Sequence, residues 1–148
     1  MLDVRIDDRA FVDYLTQIQR RLGDLTEVMQ DIGMEMEARI SARFESRTDP
    51  WDNSWAPWMQ STVDSYPENG NRRLLDRYSP GMLESLSYEA DVNSVRVGFG
   101  DPVAVYHEWG TKHMVRRGMV FGDPDAGTLA DEDAAAVLDI ISVWLDQA

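Results

Sequence analysis

Residues 88–99 read Tyr88-Glu89-Ala90-Asp91-Val92-Asn93-Ser94-Val95-Arg96-Val97-Gly98-Phe99, and this stretch decides the fold class. Tyr88, Ala90 and Val92 alternate with polar residues, and so do Val95, Val97 and Phe99. Each run therefore places its apolar side chains on one face of an extended strand. Asn93-Ser94 supplies turn residues between the two runs, which closes a β-hairpin, and Asp101-Pro102 ends the second strand.

Upstream of the hairpin the period changes. From Asp8 to about Phe44, the residues Phe11, Leu15, Ile18, Leu22, Leu25, Met29, Ile32 and Met36 recur at steps of four and three, which predicts one buried helical stripe. Gly23-Asp24 interrupts the stripe, and Asp24 with Glu27 forms a capping-box-like restart, so two helices and one kinked helix both fit. The spacing persists for too few repeats to be a coiled-coil seam, so the helix is expected to pack on its own sheet. Arg20, Arg21, Arg39, Arg43 and Arg47 are expected on the solvated face, where some could pair with acids of a neighbouring subunit.

Between Arg47 and Arg73, proline, asparagine and glycine argue against regular structure, and Trp51, Trp55 and Trp58 either pin this loop to the core or anchor a contact. Ser79 to Leu86 reads as a short helix or turn leading into the hairpin, with Ser79 as N-cap and Pro80 at the first helical position. Beyond the hairpin, Val103 to Trp109 is a short apolar run that fits a buried helix turn or a strand. Gly110 to Gly118 is a loop, and Met119-Val120-Phe121 is expected to be a last strand. Leu129 to Leu145 closes the chain as an amphipathic helix, with Asp131, Glu132 and Asp133 at its positive end and Ala136, Val137, Ile140, Ile141, Trp144 and Leu145 on its buried side. The whole is a single α+β domain over residues 1–148, with an N-terminal helical region, a small mostly antiparallel β-sheet and a C-terminal helix. Trp55 and Trp109, each beside a turn signal, are expected to be largely buried.

Composition limits the functions open to this fold. With no cysteine among 148 residues, disulfides, thiolate nucleophiles and cysteine-based metal sites are excluded. Fourteen lysines and arginines against 27 acids give a formal charge of −13, a field that repels phosphate backbones and anionic lipid. The acids are spread through a chain that is 43% hydrophobic, which argues for a packed domain rather than an acidic tail. The N-terminus shows neither a basic start nor an apolar run, and no stretch approaches transmembrane length, so a soluble cytoplasmic product without membrane contact is expected.

Chemistry finds little purchase. His107, Glu108 and nearby His113 lack the one-turn spacing of zinc histidines. The pairs Asp7-Asp8, Asp123 with Asp125, and Asp131 with Asp133 have no nucleophile, phosphate loop or oxyanion motif beside them. Gly98-Phe99-Gly100 leads into Asp-Pro rather than a helix, so it is no dinucleotide fingerprint. No catalytic, cofactor-binding or metal residue is assigned.

A series of short blocks carries a resemblance. Arg43-Phe44 is followed by Trp55-Ala56-Pro57-Trp58, and Leu74-Leu75-Asp76 by Met82-Leu83-Glu84-Ser85-Leu86. Val95-Arg96-Val97-Gly98 then precedes Tyr106-His107-Glu108-Trp109-Gly110 and Arg116-Arg117-Gly118-Met119-Val120-Phe121-Gly122. In this order the blocks resemble the phage virion morphogenesis family, the tail-completion proteins of Mu-like and P2-like phages. The chain departs from that pattern at Arg77-Tyr78-Ser79-Pro80-Gly81, where the family usually has Thr-Gly, and at Gly118, where proline is usual. The signature positions are Trp55, Pro57, Leu75, Asp76, Leu83, Ser85, Tyr106, His107, Trp109, Gly110, Phe121 and Gly122.

The resemblance implies a non-catalytic virion subunit without cofactors. It implies a ring, of six copies by analogy with sixfold neighbours, at the neck or head-proximal end of the tail. The ring would contact neck and tail proteins and let DNA pass through its lumen without specific binding. Lys112, Arg116 and Arg117 concentrate positive charge in an acidic subunit, so the loop from Gly110 to Gly118 is the expected subunit contact. The rival reading is an acidic regulatory or nucleic-acid-mimicking module that covers a basic partner.

Overall fold

A computed structural model of the chain describes residues 9–66, 74–76 and 81–147. Its elements are α1 (Arg9–Gly23), α2 (Thr26–Ser46), α3 (Gln60–Asp64), a 3-10 turn (Leu83–Ser85), β1 (Leu86–Ala90), β2 (Val95–Phe99), α4 (Ala104–Trp109) and α5 (Asp131–Asp146). This is the expected α+β arrangement, with helices at both ends and one antiparallel pair of strands among the described residues.

In the hairpin, Leu86 faces Phe99, Tyr88 faces Val97 and Ala90 faces Val95. The turn is built on a residue the alternation did not single out. Asp91 accepts the N–H groups of Asn93 and Ser94 at 3.0 and 2.8 Å. These bonds, that from Asn93 first, hold its carboxyl below the usual aspartate value. Val92 lies in the turn and is exposed, so it leaves the apolar face that its spacing suggested.

The helical region is two helices. Asp24 accepts from the Thr26 hydroxyl at 2.6 Å and the Thr26 N–H at 3.0 Å, an Asx turn in place of the anticipated capping box. The hydroxyl bond is the larger cause of its lowered carboxyl pKa. Leu25 donates its N–H to Val92 at 2.9 Å and ties the junction to the hairpin turn.

The anticipated single stripe breaks at this junction. Ile32 and Met36 are buried, whereas Leu15 and Leu22 are 47% and 53% exposed. The side chain of Phe11 lies outside the described set.

α2 is the centre of the molecule, covered on one side by the hairpin and on another by α5. Two apolar clusters meet on it. Ile40 and Phe44 pack with Trp55, Leu74, Met82, Ala104 and Met119. Val28, Ile32 and Met36 pack with Trp144, beside half-buried Val137, Ile140 and Ile141 of α5. Gly33 permits the close approach of the hairpin, because a Cβ there would overlap the ring of Tyr88. Leu145 is exposed, contrary to its place in the expected buried face of α5.

Other expectations change for identifiable reasons. The irregular tryptophan segment contains the short helix α3, which begins after Pro50 and Pro57 and ends before Pro67. Of Val103 to Trp109, Ala104–Trp109 is helical, but only Ala104 and Glu108 are buried on it, and Trp109 is 45% exposed against 6% for Trp55. Met119 to Phe121 form no strand, because their N–H groups are bonded to a side chain instead of a ladder. Arg43, expected in solvent, is buried. Ser79 and Pro80 lie outside the described residues, as do Asp7 and Asp8.

Candidate assembly site

The sequence blocks converge on the segment from Arg116 to Gly122. Glu108 on α4 is 3% exposed, and its carboxylate accepts the N–H groups of Met119 at 2.7 Å, Val120 at 3.2 Å and Phe121 at 2.8 Å. A buried carboxylate is costly unless satisfied, and three backbone donors satisfy this one while fixing a segment that has no secondary structure of its own. Arg116 closes the same loop, donating to the carbonyls of Glu108 at 2.6 Å and Phe121 at 3.0 Å.

Arg117 is also turned inward, donating to the carbonyls of Ala56 at 2.8 Å and Pro57 at 2.9 Å. It binds the Trp-Ala-Pro-Trp loop to the basic segment. Trp55 donates its indole N–H to Gly118 at 2.9 Å, and Trp51 donates to Gly122 at 3.1 Å. The two glycines are tightly placed. A Cβ on Gly122 would meet the backbone of Ala130 at 2.6 Å, and one on Gly118 would meet the Arg116 guanidinium at 2.7 Å.

Arg43 joins this cluster to both ends of the fold. It donates to the Met119 carbonyl at 2.7 Å and to both carboxylate oxygens of Asp133, which is fully buried on α5. Arg39 stands 3.5 Å from the same carboxylate and also pairs with Glu35. The apparent chance pair Asp131 and Asp133 is thus two different residues: the first is exposed, the second is the partner of a buried arginine.

The remaining signature residues hold neighbouring turns. Buried Asp76 accepts the Leu83 N–H at 3.3 Å, and Ser85 donates to the Met82 carbonyl at 2.6 Å while accepting the Asp101 N–H at 3.2 Å. Leu75 adopts left-handed backbone at φ 65° and packs against the first apolar cluster. Gly110, at φ 72°, turns the chain back so that the His107 carbonyl can accept the Arg117 N–H at 2.9 Å. Phe121 packs at a tilt against Trp109, with ring centres 5.9 Å apart, and Tyr106 faces solvent.

His107 is half-buried beside an apolar groove of about 540 Å3 between α3 and α4, lined also by Trp58, Met59, Leu75, Val103 and Met114. Burial pushes its imidazole below the usual histidine value, Arg117 pushes further, and Asp101 opposes. Burial likewise pulls the Arg117 guanidinium down. Among the described residues no group of three or more metal-ligating side chains comes together.

The basic loop is therefore mostly committed within the subunit. Arg116 and Arg117 bind backbone of their own chain, and Lys112 alone of the three is exposed. Elsewhere the surface shows apolar side chains without cover. Val12, Tyr14, Leu15 and Leu22 lie on α1, and Leu138, Val143 and Leu145 on α5.

Polar side chains aimed at their own backbone, two apolar clusters around a central helix and exposed apolar helix faces define a small α+β domain. The model of the phage virion morphogenesis family matches residues 6–145, and the chain belongs to that family. No curated protein and no solved structure shows a significant match. Membership gives a structural, non-enzymatic role in phage virion morphogenesis. No helix among the described residues is long and apolar enough to cross a membrane.

Proposed function

We propose that this chain is a ring subunit of the neck or head-proximal tail end, needed for tail completion or head–tail joining, with six copies in the assembled ring. The observation that carries the reading is α1, an amphipathic helix whose apolar face its own subunit leaves half-exposed. Exposed apolar faces of this kind mark contacts with other chains, and membership of a virion morphogenesis family makes a neighbouring virion subunit the natural cover.

A ring also gives the acidic composition a use. A lumen walled by a chain of charge −13 repels duplex phosphates, so DNA slides past without being trapped. Within the loop from Gly110 to Gly118, Lys112 is the residue free to meet an acidic face of the next copy.

The test is a phage lacking the gene. Separate heads and tails, restored to whole particles by the gene in trans, are expected, with a closed ring at the neck in a reconstruction of complemented particles. Normal virions without the gene would overturn the reading and favour the acidic regulatory module, and a single copy at the neck would overturn the ring.

A further inference from the structure

We infer that α1 is an arm that covers the solvent face of α5 on a neighbouring copy of this chain. The inference deepens the ring reading and rests on it for the closed geometry, though not for the contact itself.

Among the described contacts, α1 meets the rest of its own subunit at its last turn. There Arg21 donates to the Trp144 carbonyl at 2.7 Å and its guanidinium lies 4.4 Å from the centre of the Trp144 ring. Ile18 and Leu22 border Leu145 at the same point. This end of the helix is held, while Val12, Tyr14 and Leu15 continue the apolar side away from that anchor, half-exposed.

The solvent side of α5 has the matching form. Ala135, Leu138 and Ser142 recur at steps of three and four, all exposed, Leu138 at 65%, and the stripe ends at Leu145 beside the chain's own α1. Leucines alternate there with small residues, the relief into which the ridge of another helix packs. Asp131, Asp139 and Asp146 surround this stripe, each exposed.

Charge selects the pairing. α1 carries Arg9 and Arg20 besides the anchoring Arg21, against the single acid Asp13, whereas α5 exposes four acids, Asp131, Glu132, Asp139 and Asp146, and carries no base. Two copies of α1 would repel each other, and α5 of another copy attracts it. The two surfaces are different patches, so each copy gives one arm and receives one. A contact of that kind repeats head to tail and closes into a ring when the rotation allows. One helix face supplies only part of the roughly 800 Å2 per partner typical of a stable interface. Free copies should therefore associate weakly, with ring closure or a template completing assembly.

The chain has no cysteine, so introduced pairs report without background. Leu15→Cys would be combined in turn with Ala135→Cys, Leu138→Cys and Ser142→Cys, incorporated into particles in phage-producing cells, and oxidised. Expected is a ladder of covalent multimers up to the ring size with at least one pair, and nothing above dimer when the single variants are mixed. As a second measurement, Leu15→Asp should melt like the parent yet enter particles at least tenfold less.

A ring visible at the neck with no ladder, a Leu15→Cys single variant that links to itself or to another virion protein, or parental incorporation of Leu15→Asp would each overturn the inference while leaving the ring standing. A ladder formed in a phage whose virions are normal without the gene would instead keep the contact and remove the ring function.

Discussion

α1 and α2 are consecutive helices with the same three-and-four apolar spacing, yet one is uncovered and the other is the centre of the molecule. α2 has an element packed on each of two sides, so residues beyond a single stripe are buried on it, Arg43 among them. α1 has one anchored turn. Periodicity reports which face of a helix is apolar and not what covers it. The difference separates residues that hold the subunit from residues placed to join it to something else, and each can be removed without the other.

The largest effect is expected where the covered helix holds a charge. Arg43→Met leaves buried Asp133 with only Arg39 at 3.5 Å, and Asp133→Leu leaves buried Arg43 without a carboxylate, each costing about 3–5 kcal/mol. The double variant Arg43→Met with Asp133→Leu should lose much less than the sum, because no buried charge is left over. Denaturant melts of the four proteins measure this, and an Arg43→Met curve that overlays the parent would erase the distinction between the two helices.

The two tryptophans repeat the comparison on a smaller scale. Trp55→Ala opens a cavity against Phe44 and orphans the Gly118 carbonyl, with a cost of about 3–5 kcal/mol. Trp109, half in solvent against Phe121, should cost about 1 kcal/mol on truncation. Equal losses in thermal or denaturant melts would show that exposure does not rank them.

The hairpin, the two terminal helices and the α+β class were legible because each rests on a local period. The cluster around Glu108 was not. Its motif was visible as Tyr106 to Gly110, but its carboxylate serves backbone donors eleven to thirteen residues away, and local pattern carries no sign of that. Met119 to Phe121 have the composition of a strand, and only the occupancy of their N–H groups denies it. Arg43 had a readable signal, since it follows Met36 and Ile40 on the same buried side of α2. Its charge argued for solvent, and Asp133, ninety residues on, is what reverses the argument. The arginines of the basic loop were read as free for the same reason, because backbone carbonyls that accept from them leave no mark in composition.

On α1 the expected stability effect is small and the assembly effect large. Leu15→Ala and Tyr14→Ala should shift unfolding by about 0.5 kcal/mol or less, as exposed positions do. Ile32→Ala on α2 should cost about 2–5 kcal/mol. Lys112→Glu belongs with the α1 set, a neutral change in melts with reduced incorporation if the loop meets an acidic neighbour. A Leu15→Ala variant as unstable as Ile32→Ala would mean that α1 is covered within its own subunit after all.

The smallest expected effect sharpens the comparison from the covered side. Burial and Arg117 both hold the His107 imidazole below its ordinary value of 6.5, so the folded state favours the neutral ring more than the unfolded chain does. Above that ordinary value the ring is neutral in both states and the full stability is present. As pH falls below it, the unfolded chain takes up the proton first, and stability declines until the folded-state pKa is passed. Asp24 and Asp91 have lowered carboxyl pKa values and contribute a separate loss, near and below their ordinary value of 3.8. Melts between pH 7 and pH 5 therefore isolate the histidine from these two. His107→Gln should flatten the decline in that window, and subtracting the two profiles cancels every other group that titrates there. An unchanged slope would mean that the ring gains a proton in the folded subunit as easily as in the unfolded chain, and that the groove beside α4 is open to water rather than part of the covered core.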